Sequence, residues 1–253
     1  MGYSLKNRNV LVAGGSRGLG AAIAEKFAAE GANVAVNYLS NEAAAQDVVS
    51  KINALYPEVK TTVIQGDTGV QDDCIRIVKT AVEALGGLDI VVSNAGWTKI
   101  TNFGDLYAMN EEEWDKSWAV NVKGHFHIFR EAVPHFNANP DGGAFLISAS
   151  TAGLVPGGSS LAYSVAKAAA IHLMRGLAKT HGPKIRVNAL CPGLLLTDWG
   201  HRFPESVING YIDSVPLKKA PEVDEVADLC VSVAKNTSIT GQAIAIGTLR
   251  FKR

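Results

Sequence analysis

Short apolar runs alternate along this chain with longer stretches in which apolar positions recur at helical spacing. "NVLVAG", beginning at Asn9, reads as a buried strand. "LGAAIAEKFAAEG" reads as a helix that stops at Gly31, since glycine tolerates the left-handed conformation of a helix end. "NVAVNY" is a second strand. "NEAAAQDVVSKINALY" is a second helix, with Asn41 placed to cap it and Pro57 just past its end. "KTTVIQGD" is a third strand, "QDDCIRIVKTAVEALGG" a helix closed by glycines, and "LDIVVSNAG" a fourth strand. A long helix is predicted from about Glu111 to His135. "GAFLISAS" then reads as a fifth strand, "SSLAYSVAKAAAIHLM" as a helix, and "KIRVNALCPG" as a sixth strand. "EVDEVADLCVSVAK" is a further helix and "GQAIAIG" a seventh strand.

This alternation predicts an α/β fold, a Rossmann-type doubly wound parallel sheet of about seven strands with helices on both faces. The strand runs are almost continuously apolar, as strands covered on both faces must be. No repeat, low-complexity tract or linker divides the chain, so residues 1–253 read as a single domain. The stretch from Pro192 to Pro221 breaks the rhythm. It is predicted to be irregular and to serve as a substrate lid around 192–221.

Composition narrows the function. Hydrophobic residues make up 47% of the chain and charged residues 19%, enough to bury a substantial core. The formal net charge is zero, which gives no support for nucleic acid or an anionic membrane surface as partner. Cys74, Cys191 and Cys230 are odd in number and widely spaced. They argue for a reduced, cytoplasmic protein rather than a disulfide framework, and no metal site is expected. No signal segment and no apolar run of membrane-spanning length is visible.

The junction of the first strand and helix, "VLVAGGSRGLGAAIAEKF", places Gly14, Gly15, Gly18 and Gly20 in one turn, with Ser16, Arg17 and Leu19 between them. Glycines there permit a tight turn and close approach of a phosphate, and the helix start offers N–H groups to an anion. The spacing is G-x-x-x-G-x-G, and glycines alone also make connections without chemistry. At the first strand–helix junction of such an alternation, they point to a dinucleotide. The end of the second strand reads Asn37–Tyr38 where an acid would select NAD. Arg17 can face the same position and suits a 2′-phosphate, so NADP(H) is favoured over NAD(H). Glu42, slightly downstream, argues the other way, and Arg17 can equally be a solvated side chain.

Tyr163 and Lys167 stand four residues apart in the helix after the fifth strand, on one face and one turn apart. Alone, this spacing also fits a solvated surface pair. A free tyrosine has a pKa of about 10. An ammonium about 5 Å away, at an effective dielectric near 20, is worth ~3 kcal/mol, enough to bring the phenol toward neutrality. The pair is therefore expected to carry protons.

Six motifs in order resemble the short-chain dehydrogenase/reductase family: "AGGSRGLG", "SNAG" at Ser93, "NVKG" at Asn121, "ISAS" ending at Ser150, "YSVAK" at Tyr163 and "CPGLLLTD" at Cys191. The resemblance implies a catalytic tetrad. Tyr163 is the acid/base, Lys167 tunes it, Ser150 hydrogen-bonds the substrate oxygen, and Asn121 holds a water beside Lys167. It also implies cofactor contacts. Asp67, next to Thr68, would take the adenine amino group, and Asn94, Ala95 and Gly96 would line the ribose. Lys167 would bond the nicotinamide ribose, with Pro192, Gly193, Leu195 and Thr197 framing the nicotinamide end. The chain departs from the family pattern at Ala13, usually threonine and a tie to the "SNAG" strand, and at Ser93, usually asparagine. It also lacks the "DGG" common near the C-terminus, so the last loop is expected to pack differently.

The family builds its substrate pocket after "SNAG", "ISAS" and "CPG". Trp97, Ser150, Leu154, Val155, Trp199, Phe203 and Tyr211 are thus the expected pocket, suited to a largely apolar or aromatic ketone. Several of these can equally pack the lid against the core. The expected reaction is NADP(H)-dependent interconversion of a ketone and a secondary alcohol on a small-molecule substrate. Reduction of an imine or an activated C=C bond, and a non-catalytic cofactor-sensing protein, are the alternatives. The resemblance further implies a homo-oligomer, a dimer or tetramer paired through the helices after the fourth and fifth strands.

Overall fold

The computed structural model describes residues 3–247. Seven strands form one parallel sheet in the order β3-β2-β1-β4-β5-β6-β7. They are β1 (Asn9–Ala13), β2 (Asn33–Tyr38), β3 (Thr61–Gln65), β4 (Ile90–Ser93), β5 (Gly143–Ser148), β6 (Ile185–Pro192) and β7 (Ala243–Ile246). The order reverses between β1 and β4, whose register runs Val10 to Ile90 through Ala13 to Ser93. Such a reversal opens a crevice at the carboxyl ends of the strands.

Helices cover both faces. On one side α1 (Gly18–Ala29), α2 (Glu42–Leu55) and α8 (Val223–Lys235) enclose a core that includes Ile23, Phe27 and Ile52. On the other, α3 (Gln71–Leu85), α5 (Gly124–Ala138) and α6 (Leu161–His181) enclose Ile77, Phe129, Phe136 and Phe145. Each of β1, β2, β4 and β5 sends side chains alternately into these two cores, which is why their sequences are apolar throughout. Asn41 caps α2 by accepting a hydrogen bond from the Ala44 N–H at 3.0 Å.

Two elements differ from expectation. The long helix predicted from about Glu111 to His135 is interrupted. α4 (Glu111–Trp118) passes through a π turn, Ala119–Lys123, before α5 begins and runs on to Ala138. The Gly124 N–H reaches back five residues to the Ala119 carbonyl, so one extra residue is fitted into the turn that holds Asn121. The stretch from Pro192 to Pro221 is not irregular either. It carries a short 3-10 turn, Gly200–Arg202, and α7 (Glu205–Ser214). No residue of α7 is buried, and this ten-residue helix contains Gly210 and is flanked by Pro204 and Pro216, residues that read as loop signals in sequence. The C-terminal stretch after Gly247, expected to pack differently from the family, lies outside the described residues. Among those described, no helix is long and apolar enough to cross a membrane.

Candidate active site

A cavity of about 710 Å³ runs along the carboxyl ends of the strands and over the crevice between β1 and β4. At one end lies the glycine turn. Gly14 has φ +71°, a left-handed conformation, and a Cβ there would sit 2.8 Å from the Ala95 Cα. No side chain caps the first turn of α1, so its N–H groups face the cavity unclaimed by protein side chains. Ser16, Arg17, Gly18 and Leu19 line this end, while Gly20 lies beneath the surface against Gly14.

The end of β2 is built differently from its sequence reading. Asn37 is fully buried, and its side chain is committed to structure. It accepts from the Gly14 N–H at 3.0 Å and donates to the Ile64 and Gly66 carbonyls at 3.1 Å each. It borders the cavity but braces the glycine turn rather than offering a free side chain. The phenol of Tyr38 lies beside Glu42, and burial and that carboxylate raise its pKa. Leu39, Ser40 and Asn41 also border the cavity. None of the three is among the expected cofactor contacts, although their position just past a strand end is the signal that could have found them. Asp67, Thr68, Asn94, Ala95 and Gly96 continue the wall. Asn94 donates to the Gly14 carbonyl at 2.9 Å, which supplies the tie between turn and β4 that Ala13 cannot make. Ser93 faces inward instead, 2.7 Å from Nδ1 of the buried His125. Burial, then the nearby Lys167, push the His125 pKa down to about 3, so the imidazole is neutral.

At the centre, Ser160 caps α6 by accepting from the Tyr163 N–H, which fixes the helix start on which the phenol stands. The Lys167 ammonium lies 5.4 Å from the centre of the Tyr163 ring and donates to the Ser148 carbonyl at 2.7 Å. Ser150 accepts from the Ala152 N–H at 3.1 Å and hydrogen-bonds the ionised form of Tyr163. Asn121 lies behind Gly96, where a Cβ would stand 3.2 Å from its Oδ1 and 3.7 Å from Lys167 Nζ. Its side chain is spent on the loop after β4, donating to the carbonyls of Trp97 at 2.7 Å and Ser117 at 2.9 Å. It also accepts from the Trp97 N–H at 3.2 Å. Asn121 itself does not border the cavity.

The electrostatics differ from the sequence expectation. Burial pushes the Tyr163 phenol up to about 12 and the Lys167 ammonium down to about 8. The protein alone therefore makes the phenol a weaker acid, because both groups have left water together. A neighbouring lysine read from spacing carries no sign of that burial.

At the far end, Trp97, Val155, Trp199, Phe203 and Tyr211 border the cavity, as do Pro192, Gly193, Leu195 and Thr197. Leu154 does not. The 3-10 turn Thr151–Gly153 directs it against the core containing Phe145 and Ile171. The Trp199 and Tyr163 rings stand 6.3 Å apart. Arg202, which in sequence reads as able to meet an acidic group or as simply solvated, also borders this end, and so does Lys116, an exposed charged residue of α4 that the sequence reading did not single out. No group of three or more metal-ligating side chains exists among the described residues.

The cradle fits a nicotinamide dinucleotide: a left-handed glycine, an uncapped helix start and a long cavity with a tyrosine–lysine pair at its middle. Residues 8–207 match the family model for short chain dehydrogenases. The chain is 38% identical over 226 residues to the short chain dehydrogenase/reductase AacuN of Aspergillus aculeatus, covering 89% of this chain and 81% of the relative. It is 32% identical over 243 residues to a 3-oxoacyl-acyl-carrier-protein reductase of Staphylococcus epidermidis, covering 95% and 97%. Among solved structures, a short chain dehydrogenase of Burkholderia cenocepacia in complex with NADP superposes with a TM-score of 0.88. That pair shares 32% identity and covers 96% of this chain and 98% of the other.

Proposed function

The chain belongs to the short-chain dehydrogenase/reductase family, and we propose that it is an NADP(H)-dependent oxidoreductase that interconverts a largely apolar ketone and its secondary alcohol. The observation that carries the proposal is the convergence of Ser150, Tyr163 and Lys167 on one cavity with the glycine turn. When bound, a nicotinamide dinucleotide supplies or accepts the hydride and, in its oxidised form, brings a positive charge. The turn from Gly14 to Leu19 would hold its phosphates, Asp67 and Asn94 its adenosine half, and Lys167 and Thr197 its nicotinamide half.

The protein's own groups handle the oxygen and the proton. In reduction, Tyr163 Oη gives its proton to the substrate oxygen, and Ser150 Oγ donates a hydrogen bond to the charge developing there. In oxidation, the Tyr163 phenolate takes the alcohol proton. Lys167, held by the Ser148 carbonyl, favours that phenolate by its charge. Asn121 fixes the Trp97 backbone, which sets one wall of the substrate end. α7, with no buried residue, covers this end through Val207 and Tyr211 and acts as the lid.

Arg17 borders the phosphate end and has no ion-pair partner among the described residues, which supports NADP(H). The experiment is NADPH and NADH consumption across a panel of ketones, imines and enones, with Arg17→Ala alongside. Ketone reduction with NADPH preferred at least about tenfold is expected, falling several-fold in Arg17→Ala. Turnover of imines or enones alone, or tight NADPH binding without turnover, would contradict the proposal. A homo-oligomer in the cytoplasm belongs to the same proposal. Trp118, Phe126 and Val165 stand exposed on the helices expected to pair, and light scattering showing a monomer would count against it.

A further inference from the structure

The substrate end of the cavity is apolar in its walls but not in its charges. Lys116 and Arg202 border it, and among the described residues neither has a carboxylate within ion-pair distance. Lys116 is held in place. Its ammonium lies over the Trp97 indole, 5.4 Å from the ring centre. Trp97 in turn is fixed at both backbone polar groups by Asn121, itself fully buried. The acids nearest in sequence do not neutralise Lys116. Glu113 is taken by Lys99 at 2.7 Å and by the Asn110 N–H, and Glu112 and Asp115 are exposed on α4. Asp198 also borders the cavity, on the loop after β6, so this end carries two cations against one acid.

A line of contacts joins this cation to the reacting centre. The Trp199 ring stands 6.3 Å from the Tyr163 ring, and its Cη2 atom would be 3.5 Å from a Cβ on Gly96. Gly96 is bonded to Trp97, and Trp97 carries Lys116 on its face. A substrate with its carbonyl at Tyr163 that extends past Trp199 and Gly96 toward Trp97 would bring its far end toward Lys116.

We infer that the substrate is a keto acid: an aromatic or alkyl ketone with a carboxylate remote from the carbonyl, received by Lys116. The inference rests on the ketone-reductase reading above and adds to it a charge requirement that an apolar pocket alone does not impose. Lys116 is a specificity-determining residue in this scheme and takes no part in proton transfer. An ammonium without a protein carboxylate gains an ion pair when the acid binds. An exposed pair of this kind is worth about fivefold in binding, and salt weakens it.

The test compares kcat/KM for 4-oxo-4-phenylbutanoate and for its methyl ester, with saturating NADPH at low ionic strength. The two share the ketone and the ring and differ in the charge. The expected acid-to-ester ratio is about five or more, carried by KM, and it shrinks as salt is added. It falls toward one in Lys116→Gln and below one in Lys116→Glu, with the ester in each variant correcting for any change in folding. A wild-type ratio of one or less, or a ratio unmoved in Lys116→Gln, overturns the inference while ketone reduction stands. Reduction of neither ketone, with turnover of an imine or enone, overturns the reductase reading and the inference with it.

Discussion

Tyr163→Phe is expected to lower kcat for ketone reduction by about 10³-fold or more while leaving the NADPH Kd within about threefold. The ring keeps its place, because the Ser160 cap and the first turn of α6 hold the backbone. The Trp199 contact is a ring contact that phenylalanine retains. What disappears is the one hydroxyl in the cavity that both stands beside a lysine and hydrogen-bonds Ser150 in its ionised form. The other ionisable groups near the centre do not replace it. Burial pushes the Cys191 thiol up to about 11, and burial, then the nearby Lys167, hold His125 neutral behind β4. Stopped-flow single-turnover rates with pre-bound NADPH measure the loss at the chemical step. Activity within tenfold of wild type would assign the proton to another donor.

Gly20→Ala is expected to weaken NADPH binding by about 100-fold and to cost thermal stability on the scale of a backbone overpacking, ~1–3 kcal/mol. A Cβ at this position would stand 2.1 Å from the Gly14 carbonyl oxygen and 2.7 Å from Asn94 Nδ2. The first is backbone, and the second is a side-chain amide pinned by its hydrogen bond to that same carbonyl. The Gly14 carbonyl is the acceptor for Asn94, and the Gly14 N–H is held by Asn37. Moving it disturbs three segments at once: the glycine turn, the end of β2 and the loop after β4. All three border the dinucleotide end of the cavity. Calorimetric titration with NADPH and a thermal melt report the two effects separately. Wild-type affinity in this variant would mean that the cofactor does not lie on the turn.

The sheet was legible because its strands are buried on both faces, and a doubly buried strand shows as an apolar run regardless of its neighbours. "NVAVNY" corresponds to β2 residue for residue, and the Asn41 cap is a local side-chain-to-backbone bond that needs no tertiary context. The order of the motifs made the candidate site legible, since "AGGSRGLG", "SNAG", "ISAS" and "CPGLLLTD" lie at the carboxyl ends of β1, β4, β5 and β6. Other features depend on contacts remote in sequence. The π turn at Asn121 leaves no mark on apolar spacing, because the residues before and after it remain helical. Asn37 reads as a free polar residue until Ile64, Gly66 and Gly14 are brought around it. Leu154 and Val155 are indistinguishable in sequence, yet a single 3-10 turn sends one to the core and the other to the cavity. α7 is hidden in sequence by its shortness and by Pro204, Gly210 and Pro216 in and around it, which read as loop. The rise of the Tyr163 pKa is a burial effect, and burial of a polar group is the property a spacing motif records least.

The central claim is that Lys167 and a bound cationic cofactor together overcome the burial of the Tyr163 phenol. The direct measurement is the pH dependence of kcat/KM for alcohol oxidation with saturating NADP⁺, in wild type and in Lys167→Met. Oxidation needs the phenolate, so the rate rises with pH through the Tyr163 pKa. The protein alone sets that value at about 12. In the holoenzyme the rise is expected to level off at about pH 7–9, and in Lys167→Met to move upward by at least about one unit. A wild-type profile still climbing at about pH 11, or a break that stays in place without the lysine, would contradict the claim.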